Sequence, residues 1–317
     1  MALLTSSIGS FPKPPALHAA RRRFADGELE APALRQQEDE ATRRVLSAQD
    51  ELGISLLVDG EMDRADPITT FAERLAGVEI GGWVRVIGDR YMRRPKIVSA
   101  LARTSSTTTD RWRFAREAAR GAVKAVLPGP YSLMDGSFDE HYASRREVCL
   151  AFAEIVRDEA AELATAGATE IQLDEISAGA RPDELPLMRE ALELVMAPLR
   201  GRSRVWLYLG YADLAAIGAE LAVLPANGLL VAGAHCGYEG IDAFARAVPD
   251  DRLVGIGVID VLDTRVETAD EVRERLAMVM KLVPRDRLWA VPDGGMRGLR
   301  PETALAKLAA MAAAARE

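Results

Sequence analysis

Apolar and polar positions along this chain follow two rhythms. Short runs rich in aliphatic and β-branched residues alternate with longer stretches in which apolar residues recur three and four positions apart. The short runs predict strands at residues 3–8, 55–59, 122–127, 170–174, 204–208, 228–232, 253–260 and 288–291. The longer stretches predict amphipathic helices between them. Ser144-x-x-Glu147 and Thr268-x-x-Glu271 read as capping boxes. They precede apolar faces made by Val148, Phe152, Ile155, Val156 and Leu163, and by Val272, Leu276, Val279, Met280 and Val283. Pro301 stands where a first helical residue belongs, and Gly53 and Gly167 stand where helices end.

Eight strands alternating with helices predict an α/β fold whose parallel sheet closes into a (β/α)8 TIM barrel. No phosphate-cradling glycine motif follows the first strand, which argues against a dinucleotide-binding sheet. Residues 77–103 break the rhythm: Gly81-Gly82, then alternating Trp83, Arg85 and Ile87, then a basic run from Arg90 to Lys96. This pattern predicts a hairpin inserted between barrel strands, serving either as a lid or substrate arm or only as a solvated cover. No linker rich in Gly, Ser or Pro and no internal repeat divides the chain, so residues 1–317 read as one domain.

Composition narrows the function classes. The 317 residues are 49% hydrophobic and 28% charged, which excludes a disordered chain. A net charge of −8 argues against nucleic acid, because phosphate binding needs clustered Lys and Arg, and Arg21-Arg22-Arg23 reads as a solvated helix face. No apolar run is long enough for a membrane span. Two cysteines cannot form a disulfide framework, and the start of the chain lacks a signal-peptide pattern, so a cytoplasmic location is expected. The expected partner is a small-molecule substrate. A homodimer is compatible with the barrel's size, although no hydrophobic strip marks an interface.

In a parallel barrel the chemistry sits where the strands end. Those exits carry Gly9-Ser10-Phe11, Asp59-Gly60-Glu61, Pro128-Gly129-Pro130-Tyr131, Asp174-Glu175, Tyr208-Leu209-Gly210-Tyr211, His235-Cys236, Asp260 and Pro292-Asp293-Gly294-Gly295. Carboxylates at four exits predict an anionic pocket in which proximity raises some pKa values, or else a set of helix caps and loop acceptors. Glu61, Asp174, Glu175, Tyr208 and Asp293 are the candidate acid–base groups. Ser10, Tyr131, Tyr211, His235 and Asp260 are candidate substrate contacts. His235 and Cys236, as neighbours in an extended segment, point opposite ways, and Cys149 reads as packed core. With three histidines and two cysteines scattered along the chain, a thiolate-rich zinc site is not available. No cofactor is expected, and a carboxylate site for magnesium or manganese built from Glu61, Asp174, Asp260 and Asp293 stays open.

Several motifs stand in a telling order: Ser7-Ile8-Gly9-Ser10-Phe11-Pro12, Val58-Asp59-Gly60-Glu61, Gln172-Leu173-Asp174-Glu175, Gly257-Val258-Ile259-Asp260 and Val291-Pro292-Asp293-Gly294-Gly295. From Leu4 to about Ala313 the chain resembles the catalytic barrel of cobalamin-independent methionine synthases. The resemblance implies a pocket for homocysteine and a methyl-folate, with zinc activating the thiol. Ile8-Gly9-Ser10, Glu61 and Asp174 match the amino-acid-binding positions, and Arg90 is similar to an arginine near the folate. The zinc positions differ: Tyr208 and Gly210 stand in the family's His-x-Cys, Ala232 in place of its glutamate, and Gly294 in place of its last cysteine. Leu262 replaces a histidine, Ile176 a proline, and the folate-side tryptophan is lost near Asp135.

A free thiol is only slightly ionised at neutral pH, so losing those ligands removes the family's activation of sulfur. The sequence therefore favours a metal-independent enzyme. It would act on a small polar, amino-acid-like or sulfur-containing substrate by carboxylate and tyrosine acid–base chemistry, as a lyase, hydratase or hydrolase. Two alternatives stay open: methyl or alkyl transfer to or from a thiol, and a non-catalytic binding barrel.

Overall fold

The structure is a computed structural model that describes residues 2–87 and 90–316, with the side chains of residues 86–92 outside the described set. The strands, in chain order, are β1 (Leu4–Thr5), β2 (Leu56–Leu57), β3 (Leu75–Ile87), β4 (Arg90–Arg103), β5 (Ala122–Val123), β6 (Ala125–Pro128), β7 (Phe138–Asp139), β8 (Glu170–Asp174), β9 (Arg204–Tyr208), β10 (Gly228–Val231), β11 (Leu253–Ile259) and β12 (Leu288–Pro292). Beyond their first residues, those of the main sheet are buried on both faces, which is why they read as continuous apolar runs.

The main sheet is parallel and curled, in the order β1-β12-β11-β10-β9-β8-β6. An isolated bridge between Ser6 and Leu56 joins β1 to β2, β2 pairs with β5, and β5 leads through Lys124 into β6. The sheet thereby comes round on itself as an α/β barrel with helices outside. The first two strands are shorter than predicted because polar side chains take over the ladder. Thr5 and Ser55 exchange backbone-to-hydroxyl bonds at 3.1 Å, and the Gln49 amide bonds both the N–H and the carbonyl of Val58.

The lumen is filled by Ile8, Leu56, Trp206, Leu230, Trp289 and Val291, with Trp206 and Trp289 edge to face at 5.1 Å. Below the mouth it is polar. Lys124, fully buried, donates to Ser6 Oγ at 3.1 Å and to the Ser7 carbonyl at 3.0 Å, and burial lowers its pKa to about 7.

The insertion forms as an antiparallel hairpin of β3 and β4, with β7 added parallel to β4. Arg94 ties it to the exit loop of β6 through the carbonyls of Asp135 and Gly136, at 2.6 and 3.0 Å. Two local expectations change. Ser144 caps its helix, but Glu147 reaches back to the N–H of Ala143 instead of closing a box, whereas the Thr268–Glu271 box is complete. Arg21 turns inward from its basic run to bond Glu38 at 2.8 Å and the Met62 carbonyl at 2.7 Å. Among the described residues no helix is long and apolar enough to cross a membrane.

Candidate active site

The loops after β1, β2, β8 and β12, with the end of β9, surround a cavity of about 410 Å³. Ser10, Glu61, Asp174 and Tyr208 from the predicted set line it, together with Ile176 and Arg297. Glycines make the room. A Cβ on Gly9 would stand 2.8 Å from Glu61 Oε1, and one on Gly295 would collide with Ser10 Oγ.

Glu61 is held from every side. Its backbone is left-handed, with φ of 56°, a strained conformation that persists only where surroundings fix it. Asp59 accepts from its N–H at 2.9 Å, and Lys13 donates to its carbonyl at 3.0 Å. Its carboxylate pairs with Arg297 at 2.8 Å and lies 3.9 Å from Arg64. The mouth is therefore mixed in charge and not simply anionic as its carboxylates suggested. Burial, together with the charges of Arg297 and Arg21, lowers the pKa of Lys13 to about 7.

Asp174 is the carboxyl poised to exchange a proton. Burial first, then the charge of Glu61, raises its pKa to about 7, against the opposing pull of Gln172, Lys124 and Arg64. Gln172 Nε2 donates to its Oδ1 at 2.5 Å. Tyr208 donates its hydroxyl proton to the Asp293 carbonyl at 2.9 Å, which leaves its oxygen lone pairs, and not its proton, for a ligand. The acid–base part expected of Tyr208 changes accordingly, since its proton is engaged.

Other candidates lie away from the cavity. Glu175 is fully buried beneath the helix Pro130–Asp135, accepting from the N–H groups of Tyr131 and Ser132 and from Ser132 Oγ at 3.0, 2.8 and 2.7 Å. Burial raises its pKa to about 7, yet its oxygens face a helix end and no ligand. Tyr131 is buried, with its hydroxyl donating to Glu184 at 2.7 Å. Asp293 is fully buried too: its carboxylate accepts from the N–H groups of Gly233, Ala234 and His235 at 2.8, 3.0 and 2.6 Å. These three bonds give it a loop-organising role in place of an acid–base one.

At the rim, His235 Nδ1 lies 3.7 Å from Asp260 Oδ2, and its ring meets Tyr211 edge-on at 5.6 Å. Asp260 also accepts from the N–H of Leu262 at 2.8 Å. The side chain of Arg90 lies outside the described residues. The cavity residue that the sequence did not suggest is Arg297. Its signal was its place in the last strand's exit loop, two residues beyond the glycine pair.

The zinc that the resemblance implies does not fit the residues present. Of the four positions, Gly210, Ala232 and Gly294 offer no donor atom, and the Tyr208 hydroxyl is engaged with a carbonyl. Gly210 is left-handed with φ of 59°, and a Cβ there would lie 3.2 Å from the Ile176 backbone. Among the described residues no group of three or more His, Cys, Asp or Glu side chains is arranged to hold a metal.

A parallel barrel with a cavity at its strand exits into which Ser10, Glu61, Asp174 and Arg297 open has the architecture of a barrel enzyme. Residues 3–317 match the family model described as cobalamin-independent synthase, catalytic domain, and the chain belongs to that family. A methionine synthase from Sulfurisphaera tokodaii is 31% identical over 308 residues, covering 96% of this chain and 89% of that protein. A 5-methyltetrahydropteroyltriglutamate–homocysteine methyltransferase from Bradyrhizobium diazoefficiens is 30% identical over 326 residues, where this chain spans only 41% of the relative's length. Among solved structures, a B12-independent methionine synthase from a Shewanella species, in complex with selenomethionine, superimposes with a TM-score of 0.85 at 26% identity, covering 99% of this chain and 97% of that one.

Proposed function

We propose that the chain transfers a methyl or other alkyl group to or from the sulfur of a small amino-acid-like substrate. Family membership favours this transfer over the lyase, hydratase or hydrolase chemistry that the residues alone suggested. The observation that carries it is the convergence of Ser10, Glu61 and Asp174 on one cavity. Glu61 suits an ammonium group and Ser10 and the Arg297 guanidinium suit a carboxylate, which leaves Asp174 for the substrate's sulfur. The Shewanella relative was solved with an amino acid bound, a ligand class that this cavity matches.

Asp174 supplies the proton acceptor. An ordinary thiol has a pKa of about 8.5, and a carboxyl raised to about 7 lies close enough to share its proton. The S–H proton passes to the Asp174 carboxylate as the S–C bond forms. The donor–carbon bond breaks, and its electron pair leaves with the donor. Proton removal by a carboxylate activates sulfur less than metal ligation does, so the donor is one with a good leaving group.

Titration calorimetry with L-homocysteine and L-methionine, followed by mass-spectrometric tracking of a deuterated methyl group from folate and sulfonium donors, tests the assignment. Binding of either amino acid with label transfer is expected. Amino-acid binding that never yields labelled product from any donor, or no binding at millimolar concentration, overturns it.

A further inference from the structure

Outside the amino-acid cavity lies a second one, of about 530 Å³, into which Arg35, Arg74 and Arg111 open together with Ser105, Ser106 and Thr107. It shares no residue with the first. Its three guanidiniums come from separate pieces of chain: the helix Ala31–Leu52, the residue before β3 and the helix Thr109–Ala118. The acids that answer them stand behind, with the Glu38 and Asp63 carboxylates only 7% and 5% exposed. Glu38 is taken by Arg21 at 2.8 Å, which leaves Arg35 at 3.7 Å. Arg74 and Arg111 both approach Asp63 no closer than 3.7 Å, and Arg111 also bonds Asp39 at 2.5 Å. The one carboxylate on the lining, Asp110, is engaged by Arg113 at 3.0 Å. Glu38, Asp39 and Asp63 thus answer Arg21, Arg35, Arg74 and Arg111, three anions for four cations, and the surplus positive charge faces the cavity. In a chain of net charge −8 this is a local reversal of sign.

We propose that this cavity binds the phosphate group of a phosphate monoester, at a site separate from the one that takes the amino acid. Three like charges around one space repel one another, and a dianion among them turns that cost into attraction. Guanidinium forks match phosphate oxygens. Three of them arriving from separate elements suit a tetrahedral group with three outward oxygens better than a flat carboxylate, which a single fork saturates. Arg35 has its full donor capacity to give: among the described residues it donates no hydrogen bond, since its 3.7 Å contact with Glu38 is too long for one. The exposed Ser105 adds a neutral donor. The cavity is far larger than a phosphate group alone, which leaves room for the esterified part of the ligand. Asp63, shared by Arg74 and Arg111, precedes Arg64, whose guanidinium lies 3.9 Å from Glu61. An occupant therefore sits against the loop that carries Glu61 without entering the amino-acid cavity.

Calorimetric titration of inorganic phosphate, glycerol 3-phosphate and malonate into wild type, Arg35→Gln and Arg74→Gln, in chloride buffer of low ionic strength, tests the site. Arg35→Gln removes no hydrogen bond of the fold, so its urea midpoint should match wild type. Both phosphates are expected to bind one per chain with about millimolar affinity or tighter, the ester at least as tightly as the free ion. Malonate should bind at least fivefold more weakly, and each substitution should weaken phosphate about tenfold, the effect of one charge-assisted bond. Arg44→Gln, an exposed change on the helix that carries Arg35, is the control and should leave phosphate affinity as it was. No heat at tens of millimolar phosphate, exclusion of the ester, malonate binding as tightly as phosphate, or full affinity in either pocket variant overturns the proposal. Displacement of phosphate by L-homocysteine overturns it too, because the anion then occupies the amino-acid cavity. L-homocysteine affinity should be the same in Arg35→Gln as in wild type, so the amino-acid reading stands or falls by its own titration.

Discussion

Glu61 and Arg297, 236 residues apart in sequence, meet at 2.8 Å at the barrel mouth. The pair joins the exit loop of β2 to that of β12 and sits on opposite charges that an amino acid's two head groups would engage. Arg297 also donates to the Ala65 carbonyl at 2.6 Å, so one guanidinium organises the loop that carries Glu61 as well as its carboxylate.

Removing that guanidinium leaves a buried carboxylate with Arg64 alone, 3.9 Å away. Arg297→Met is expected to cost about 2 kcal/mol in urea unfolding, as for a charge-assisted bond lost from a buried group. It should weaken amino-acid binding more than tenfold, and Arg297→Lys should recover part of both. An Arg297→Met protein with wild-type affinity removes Arg297 from the site.

Gly9→Ala tests the position of Glu61 without changing any charge. The new Cβ would lie 2.8 Å from Glu61 Oε1, an oxygen 3.9 Å from Arg64 in a carboxylate whose other oxygen Arg297 holds, so the whole group has to move. Calorimetry should register about a tenfold loss of amino-acid affinity, with stability changed by no more than about 1 kcal/mol. Gly82→Ala, whose Cβ meets nothing within 4 Å, is the control and should leave affinity unchanged.

The difference between Asp174 and its neighbour Glu175 marks how far the sequence could be read. Strand exits were legible because buried runs end in polar residues, and this placed Ser10, Glu61, Asp174 and Tyr208 together. Which way the next side chain points was not legible. Glu175 follows Asp174 by one residue, and extended backbone sends it to the opposite side, under a helix N-terminus. Asp293 was likewise placed at a strand exit, but its three partners belong to the loop after β10, some 60 residues earlier, and no local pattern signals them. The barrel itself was legible from eight apolar runs. The shortness of β1 and β2 was not, since it depends on Thr5, Ser55 and Gln49 replacing backbone partners across the fold.

The raised pKa of Asp174 fixes the sign of a pH dependence. Its carboxyl titrates at about 7 in the fold against 3.8 as the ordinary value, so between these the native state holds the extra proton. Stability therefore falls as pH rises from about 4 to about 7 and levels off above, where both states are ionised. Glu175 contributes in the same direction. Asp174→Asn should flatten part of this slope and gain stability relative to wild type at pH 8 compared with pH 4, as read by denaturant midpoints. If Asp174 takes the thiol proton, the wild-type rate climbs through pH 7 to a plateau. The asparagine variant should then lose at least about 100-fold in kcat, the usual scale for a lost general base. A steeper stability slope in the variant refutes the assignment of the raised pKa to Asp174.

Asp293 gives the sharpest separation between a loop organiser and a catalyst. Its two oxygens accept three N–H groups from residues 233–235, and Gly257 lies bare against it, since a Cβ there would collide with its carboxylate. Asp293→Asn puts an amide N–H₂ where an acceptor is needed, opposing at least one backbone N–H, and should cost about 2 kcal/mol in urea unfolding. The Tyr208 bond goes to the backbone carbonyl of residue 293 and survives the change. The pH at which the rate rises should stay with Asp174, and the kcat loss should be under tenfold and shrink at lower temperature, where the folded fraction recovers. An Asp293→Asn protein with wild-type stability and a loss of 100-fold or more would instead return Asp293 to the acid–base set and make its three backbone bonds the means of tuning it.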